Sequence, residues 1–236
     1  EEQESGDELT WASGNSGFKL AMSEAKTEEY PTVQSANGKV GKCAKLETRS
    51  TGEFGNMVGM PIAAGNLFIG NFSILNAIAD PLGATRFGTP FYNKPLRLTG
   101  YYKYKSGEKF YEHGEYTSRK DIFNIYAIFY DGVKYDSAGK RTDVTLDGNL
   151  PNQNYEHPNM VALALVSNPQ ETEGDEWKFF DIPFDYQRYG KKIDEARLAK
   201  GEYKIGIIFA SSKDGATFEG APGSTLLIDE VELIYE

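Results

Sequence analysis

LRLTGYYKYK, residues 96–105, has two different faces. Leu96, Leu98, Tyr102 and Tyr104 fall on one side of a period-two alternation; Arg97, Thr99, Tyr101, Lys103 and Lys105 fall on the other. Successive side chains of a strand point to opposite faces, so this pattern predicts a strand with one buried and one wet side. IFNIYAIFY at 122–130 repeats it, with Phe123, Ile125, Ala127 and Phe129 as the apolar set and Asn124, Tyr126 and Tyr130 as a mixed one. Working outward, residues 161–166, 177–184, 203–210 and 226–235 read as strands, as do 43–48 and 67–74. Ser106-Gly107, Asp131-Gly132, Asp147-Gly148 and Asp214-Gly215 supply turn conformations between them. One segment has helical spacing, KKIDEARLAKG at 191–201, with Gly201 placed as its C-cap. So many short strands with at most one short helix predict an all-β sandwich, and a jelly roll is the simplest version.

Composition agrees. The chain has 236 residues with 25 Gly, 14 Phe, 15 Tyr and 2 Trp, a balance that suits pleated surfaces joined by tight turns. Hydrophobic residues make up 39% and charged ones 25%, which excludes wholesale disorder. A formal charge of −10 repels phosphate backbones and argues against nucleic acid as a partner. No apolar run approaches the roughly 18 residues of a membrane helix, so no transmembrane segment is expected. A single cysteine, Cys43, excludes an internal disulfide framework, and two histidines, His113 and His157, exclude His-rich metal clusters. Residues 1–8, EEQESGDE, carry five acids and no apolar side chain. They read as an acidic linker or mature N-terminus ahead of one domain over residues 9–236.

Four segments taken together resemble a known family: AAGNLFIGNF at 63–72, FGTPFYNKPLRLTGYYKYKSGEKF at 87–110, WKFFDIPFDY at 177–186 and SSKDGATFEGAPGSTLLIDEVEL at 211–233. This order of motifs is similar to the putative carbohydrate metabolism domain family of exported lipoproteins from glycan-degrading gut bacteria. The resemblance implies a β-jelly roll of the galactose-binding and carbohydrate-binding-module type. It also implies export, lipid anchoring of the full-length form at the outer membrane or cell surface, and partners such as an upstream β-domain or other surface glycan-utilisation proteins.

A sugar site needs a flat aromatic ring beside groups that hydrogen-bond hydroxyls. Three mixed strand faces offer these: Arg97, Tyr101 and Lys103; Asn124, Tyr126 and Tyr130; Trp177 and Asp181. The same residues also suit an ordinary wet sheet face with tyrosines covering core edges. Hydrolysis of a glycosidic bond would need two carboxylates about 5–10 Å apart, and the candidate pairs are Glu112 with Glu115 and Asp181 with Asp185. Asp229 alternates with Leu227, Val231 and Leu233; an inward carboxylate there would need a cation, captured backbone N–H groups or a structural Ca²⁺. No other cofactor is expected. GATFEGAPGST at 215–225 lacks the Lys and following helix of a phosphate loop, and its glycines are expected to permit a tight loop before the last strand. His113, a conceivable general base, and His157, a conceivable ligand contact, lie in polar loops without evident partners. Cys43 reads as a small structural residue.

The reading favours a domain that binds an oligosaccharide or polysaccharide without cleaving it. Its alternatives are a catalytic carbohydrate-active domain (glycoside hydrolase or lyase) using a carboxylate pair, and a structural module that binds partners in a surface complex. Leu98, Phe123, Phe129, Phe180, Ile207 and Leu233 are expected in one core, and Trp177 off it, either as a lid over a sheet edge or as an open stacking platform near Asp181 or Asn124.

Overall fold

In the computed structural model, which describes residues 9–75, 77 and 79–236, two antiparallel sheets face each other. The acidic start, residues 1–8, lies outside the described residues. One sheet has five strands in the order Lys178–Pro183, Pro95–Lys105, Thr225–Tyr235, Cys43–Glu47, Thr32–Ser35. The other runs Leu146–Asp147, Thr85–Phe87, Asn66–Phe72, Tyr203–Ala210, Asn124–Asp131, Met160–Leu165; Trp11–Ala12 adds to the 66–72 strand and Thr89–Phe91 to the 203–210 strand. Strands adjacent in sequence repeatedly fall in opposite sheets, so the chain wraps the sandwich as a jelly roll does. The fold class expected from the alternation is the one found.

The inner faces carry the apolar sets. Leu98, Phe123, Phe129, Phe180 and Ile207 are buried together between the sheets with Leu46, Leu226 and Ile228. Gly100 in the middle of its strand leaves room for the Phe180 ring; a Cβ there would sit 2.6 Å from Phe180 Cζ. Leu233 is only half-buried at the margin of this core. The cause is a bulge in the 225–235 strand, where register shifts between Asp229 and Glu232 and Glu230 takes φ 50°. Ahead of the bulge Leu226 and Ile228 point inward; beyond it Val231 and Leu233 do. The alternation that placed Asp229 on the same side as Val231 and Leu233 is therefore broken.

A second buried cluster lies on the outer face of the larger sheet. Phe68, Tyr126, Ile128, Tyr130, Leu163 and Ile208 are covered there by Phe87, Leu146, Leu150 and Tyr155. The 191–201 segment forms only one turn, Glu195–Leu198, capped by Asp194, whose carboxylate accepts from the backbone N–H of Ala196 and Arg197. Asn15–Ala21, Gly52–Met57 and Pro81–Ala84 are helical as well; each contains Gly, which lowers intrinsic propensity, so tertiary packing holds them rather than local preference.

Candidate functional site

The outer face of the five-stranded sheet carries an aromatic and charged strip. Register places Phe179 opposite Tyr101, Asp181 opposite Thr99 and Pro183 opposite Arg97, so the wet sets of the two strands share one surface. Phe179 and Tyr101 rings lie 5.1 Å apart, tilted by 54°. Phe179 is 57% exposed. Arg97 Nε donates to Asp181 Oδ1 at 2.6 Å. Lys103 Nζ lies 5.1 Å from the Trp177 ring centroid, and Lys39 Nζ, from the 36–42 loop, lies 4.3 Å from that of Tyr101. Cations over ring faces favour both partners electrostatically. Trp177, which the alternation left as either a lid over a sheet edge or a stacking platform, is half-buried. The open ring is Phe179, which alternation places on this face.

The structure thus brings Arg97, Tyr101, Lys103, Trp177 and Asp181 together and separates them from Asn124, Tyr126 and Tyr130. Those three belong to the opposite sheet and lie under its cover. Tyr130 is fully buried, and its hydroxyl donates to the Phe87 carbonyl at 2.7 Å; it is a core residue, and its place on a ligand-binding face is withdrawn. Asn124 Nδ2 donates to the Tyr155 hydroxyl at 2.8 Å, and the Tyr126 ring packs edge-on to Phe87 and Tyr155. Asn124 and Tyr126 help line a cleft on this side. Asn124 is therefore out of reach of Trp177.

Each candidate carboxylate pair has at least one member engaged by neighbouring donors. Glu112 and Glu115 face each other across a hairpin whose turn is His113-Gly114, but the hairpin end is open and Glu115 is exposed. Glu112 accepts from Arg119 Nη1 and from Thr117 Oγ1, both at 2.9 Å. These bonds, Arg119 first, hold its carboxyl below the usual carboxylate range, the wrong direction for a general acid at neutral pH. Asp181 is engaged by Arg97, while Asp185 accepts from the backbone N–H of Gln187 and Arg188.

Asp229 is buried on the outer face, not in the core. The 36–42 loop covers it, and its oxygens accept from the N–H groups of Val40 (3.0 Å) and Glu230 (2.9 Å). Captured backbone donors thus satisfy the carboxylate, and the inward geometry behind the Ca²⁺ reading is corrected by the bulge. Among the described residues no group of three or more His, Cys, Asp or Glu side chains gathers as a metal would require. His113 is paired with Glu219 at 3.2 Å. His157 Nδ1 accepts from Asn159 N–H, and burial together with Lys134 and Lys191 pushes its pKa down. Cys43 is buried, and burial raises its thiol pKa.

Sequence reasoning missed Asp121, 2% exposed at one end of the sandwich. Its Oδ2 accepts from Ser212 Oγ (2.6 Å), Ser224 Oγ (2.7 Å) and Ala221 N–H (2.8 Å). Thr48 Oγ1 joins the network through Ser211 and Ser212. Burial pushes the Asp121 carboxyl up despite these donors. The hub pins the Gly-rich 211–224 loop, where Gly220 runs so close to Ser212 that a Cβ would lie 2.6 Å from its Oγ. The only legible signal was the run of small hydroxyls flanking the glycines.

A family model described as "Putative carbohydrate metabolism domain" matches residues 1–234. A putative glycoside hydrolase from Bacteroides vulgatus ATCC 8482 is 52% identical, with a TM-score of 0.90 over 100% of this chain and 89% of that one. A putative glycoside hydrolase from Bacteroides thetaiotaomicron VPI-5482 is 48% identical, with a TM-score of 0.87 over 100% of this chain and 66% of that one. This chain therefore spans just under two thirds of the second protein. No curated protein matches.

Proposed function

Because the chain belongs to the family described as the putative carbohydrate metabolism domain, and is thereby a carbohydrate-related domain, we propose that it binds a glycan without cleaving it. The observation that carries this reading is the open Phe179 ring, tilted against Tyr101, with the Arg97–Asp181 pair on the same sheet face. The ring offers a surface for the C–H side of a pyranose, and the charged pair offers donors and acceptors for its hydroxyls. Lys103 and Trp177 extend the strip by a further subsite. Binding is favoured over hydrolysis because each candidate carboxylate is committed to an arginine, exposed on a hairpin or bonded to backbone.

The same reading has the full-length protein exported and lipid-anchored at the cell surface, supported by the resemblance to exported lipoproteins. Membrane fractionation of cells making the full-length protein, with and without lipoprotein-processing inhibition, checks that. The glycan is tested by arraying plant and host oligosaccharides on the purified domain and on its Phe179→Ala variant. Binding by the wild type and loss in the variant supports the proposal. A wild type that binds no glycan, or a variant that binds equally well, refutes it.

A further inference from the structure

The opposite side of the sandwich holds a cleft of roughly 190 Å³ over the larger sheet. Its floor includes Phe68, Tyr126 and Ile208; the Asn15–Ala21 and Gly52–Met57 helices and the 211–218 loop wall it. Leu20 and Phe54 both line it and remain substantially exposed, so the mouth is apolar as well.

Most of the polar side chains of the lining are already engaged. Asn15 exchanges two hydrogen bonds with the Thr32 backbone, and Thr32 Oγ1 exchanges two with the Asn66 backbone. Asn66 Oδ1 accepts from Gly14 N–H, and Ser212 Oγ donates to Asp121. A bare sugar carries a hydroxyl on almost every carbon, and each one buried without a partner costs about 1–3 kcal/mol. The cleft is therefore built for a different chemistry from the Phe179 strip.

Its charge points to that chemistry. Among the described residues Lys213 is the sole charged one of the lining; it is exposed and makes no ion pair with any of them. A cavity of about 150 Å³ lined by apolar side chains accommodates benzene, so this one suits a phenyl ring with a short chain. We propose that the cleft is a second ligand site, specific for a small molecule with an apolar body and one terminal carboxylate that Lys213 neutralises. The site lies on the other sheet from the glycan strip and stands or falls independently of it.

Phenylbutyrate and its neutral counterpart phenylbutanol probe the site by calorimetry and amide NMR. The wild type should bind phenylbutyrate saturably with Kd below about 1 mM, moving the amides of Tyr126, Lys213 and Phe218. Lys213→Glu alters an exposed side chain and should keep the fold. It should weaken phenylbutyrate by about tenfold or more, the worth of a charge-assisted contact, while leaving phenylbutanol within about twofold. Ala21→Trp, which fills the cleft from the first helix, should abolish binding of both. Absence of saturable binding by the wild type, or equal affinity of Lys213→Glu and wild type for phenylbutyrate, overturns the proposal. So does an oligosaccharide that shifts the Tyr126 and Phe218 amides instead of those around Phe179.

Discussion

Phe179 and Phe180 are neighbours in sequence on opposite faces of one strand, which makes them a paired test of fold and site. Phe180 is 5% exposed and packs between the sheets against Tyr102. Truncation there removes buried surface and leaves a cavity, so Phe180→Ala should cost about 3–5 kcal/mol. In a chain of this length each 1 kcal/mol lowers Tm by about 2–4 °C, so the drop should be on the order of 10 °C. Phe179 is 57% exposed and so buries less than half of its surface. Complete burial of a Phe side chain is worth about 1.5–3 kcal/mol, and no cavity forms at an open site, so Phe179→Ala should cost about 1 kcal/mol and about 2–4 °C. Its effect should appear in affinity instead, as a loss of about 1–3 kcal/mol for the bound glycan, the size of a lost aromatic anchor. Thermal unfolding by circular dichroism and affinity electrophoresis in glycan-containing gels measure the two quantities. Equal drops in Tm for the two variants would refute the strand's facing. An unchanged glycan affinity in Phe179→Ala would refute the platform.

Prolonged incubation of the domain with plant and host glycans should release no reducing ends; turnover abolished by Glu112→Gln or Asp181→Asn would reverse that reading. Asp121→Ala removes the acceptor for Ser212, Ser224 and Ala221 N–H, and should cost about 3 kcal/mol in urea unfolding; a change within error would mean that the hub does not hold the loop. Because burial raises the folded pKa of Asp121 above its unfolded value, the folded state binds the proton more tightly. Its contribution is then full below the unfolded value of about 4 and is lost as pH rises through the folded one. The stability difference between wild type and Asp121→Asn should therefore shift against the wild type over that rise, and a flat difference would deny the raised pKa. Arg197 binds both Asp131 oxygens at 2.7 Å and Glu202 at 2.6 Å; Arg197→Met should cost about 2 kcal/mol in the same assay by leaving two partly buried carboxylates unpaired, and a neutral result would reduce the cluster to surface charge.

The strands were legible because their inner faces obey a local rule. Leu98, Tyr102 and Tyr104, or Phe123, Ile125, Ala127 and Phe129, alternate without interruption, and period two leaves no other element that buries them all. The rule fails where the backbone departs from it. Glu230 adopts a left-handed conformation that nothing in DEVELIY announces, and one such residue reverses the facing of every side chain after it. That reversal misplaced Asp229 beside Leu233 and suggested an inward carboxylate that the structure does not contain.

The site was only half legible, for a different reason. Arg97, Tyr101 and Lys103 on one strand and Asn124, Tyr126 and Tyr130 on another show the same mixed alternation, yet one outer face is open and the other is covered. Alternation reports which side chains share a face, not whether another segment lies over it. The cover on the larger sheet comes from Leu146, Leu150 and Tyr155, isolated apolar residues in the polar stretch LDGNLPNQNYEHPN with no periodicity to mark them. Tyrosine deepens the ambiguity, because its hydroxyl suits water and a buried carbonyl equally well; Tyr130 finds the carbonyl of Phe87, distant in sequence. Asp121 is hidden in the same way, with its partners Ser212 and Ser224 brought to it only by the closing of the sandwich. Separating an open aromatic strip from a covered one thus depends on long-range topology, and that topology leaves Phe179 open to a ligand while Tyr130 is enclosed.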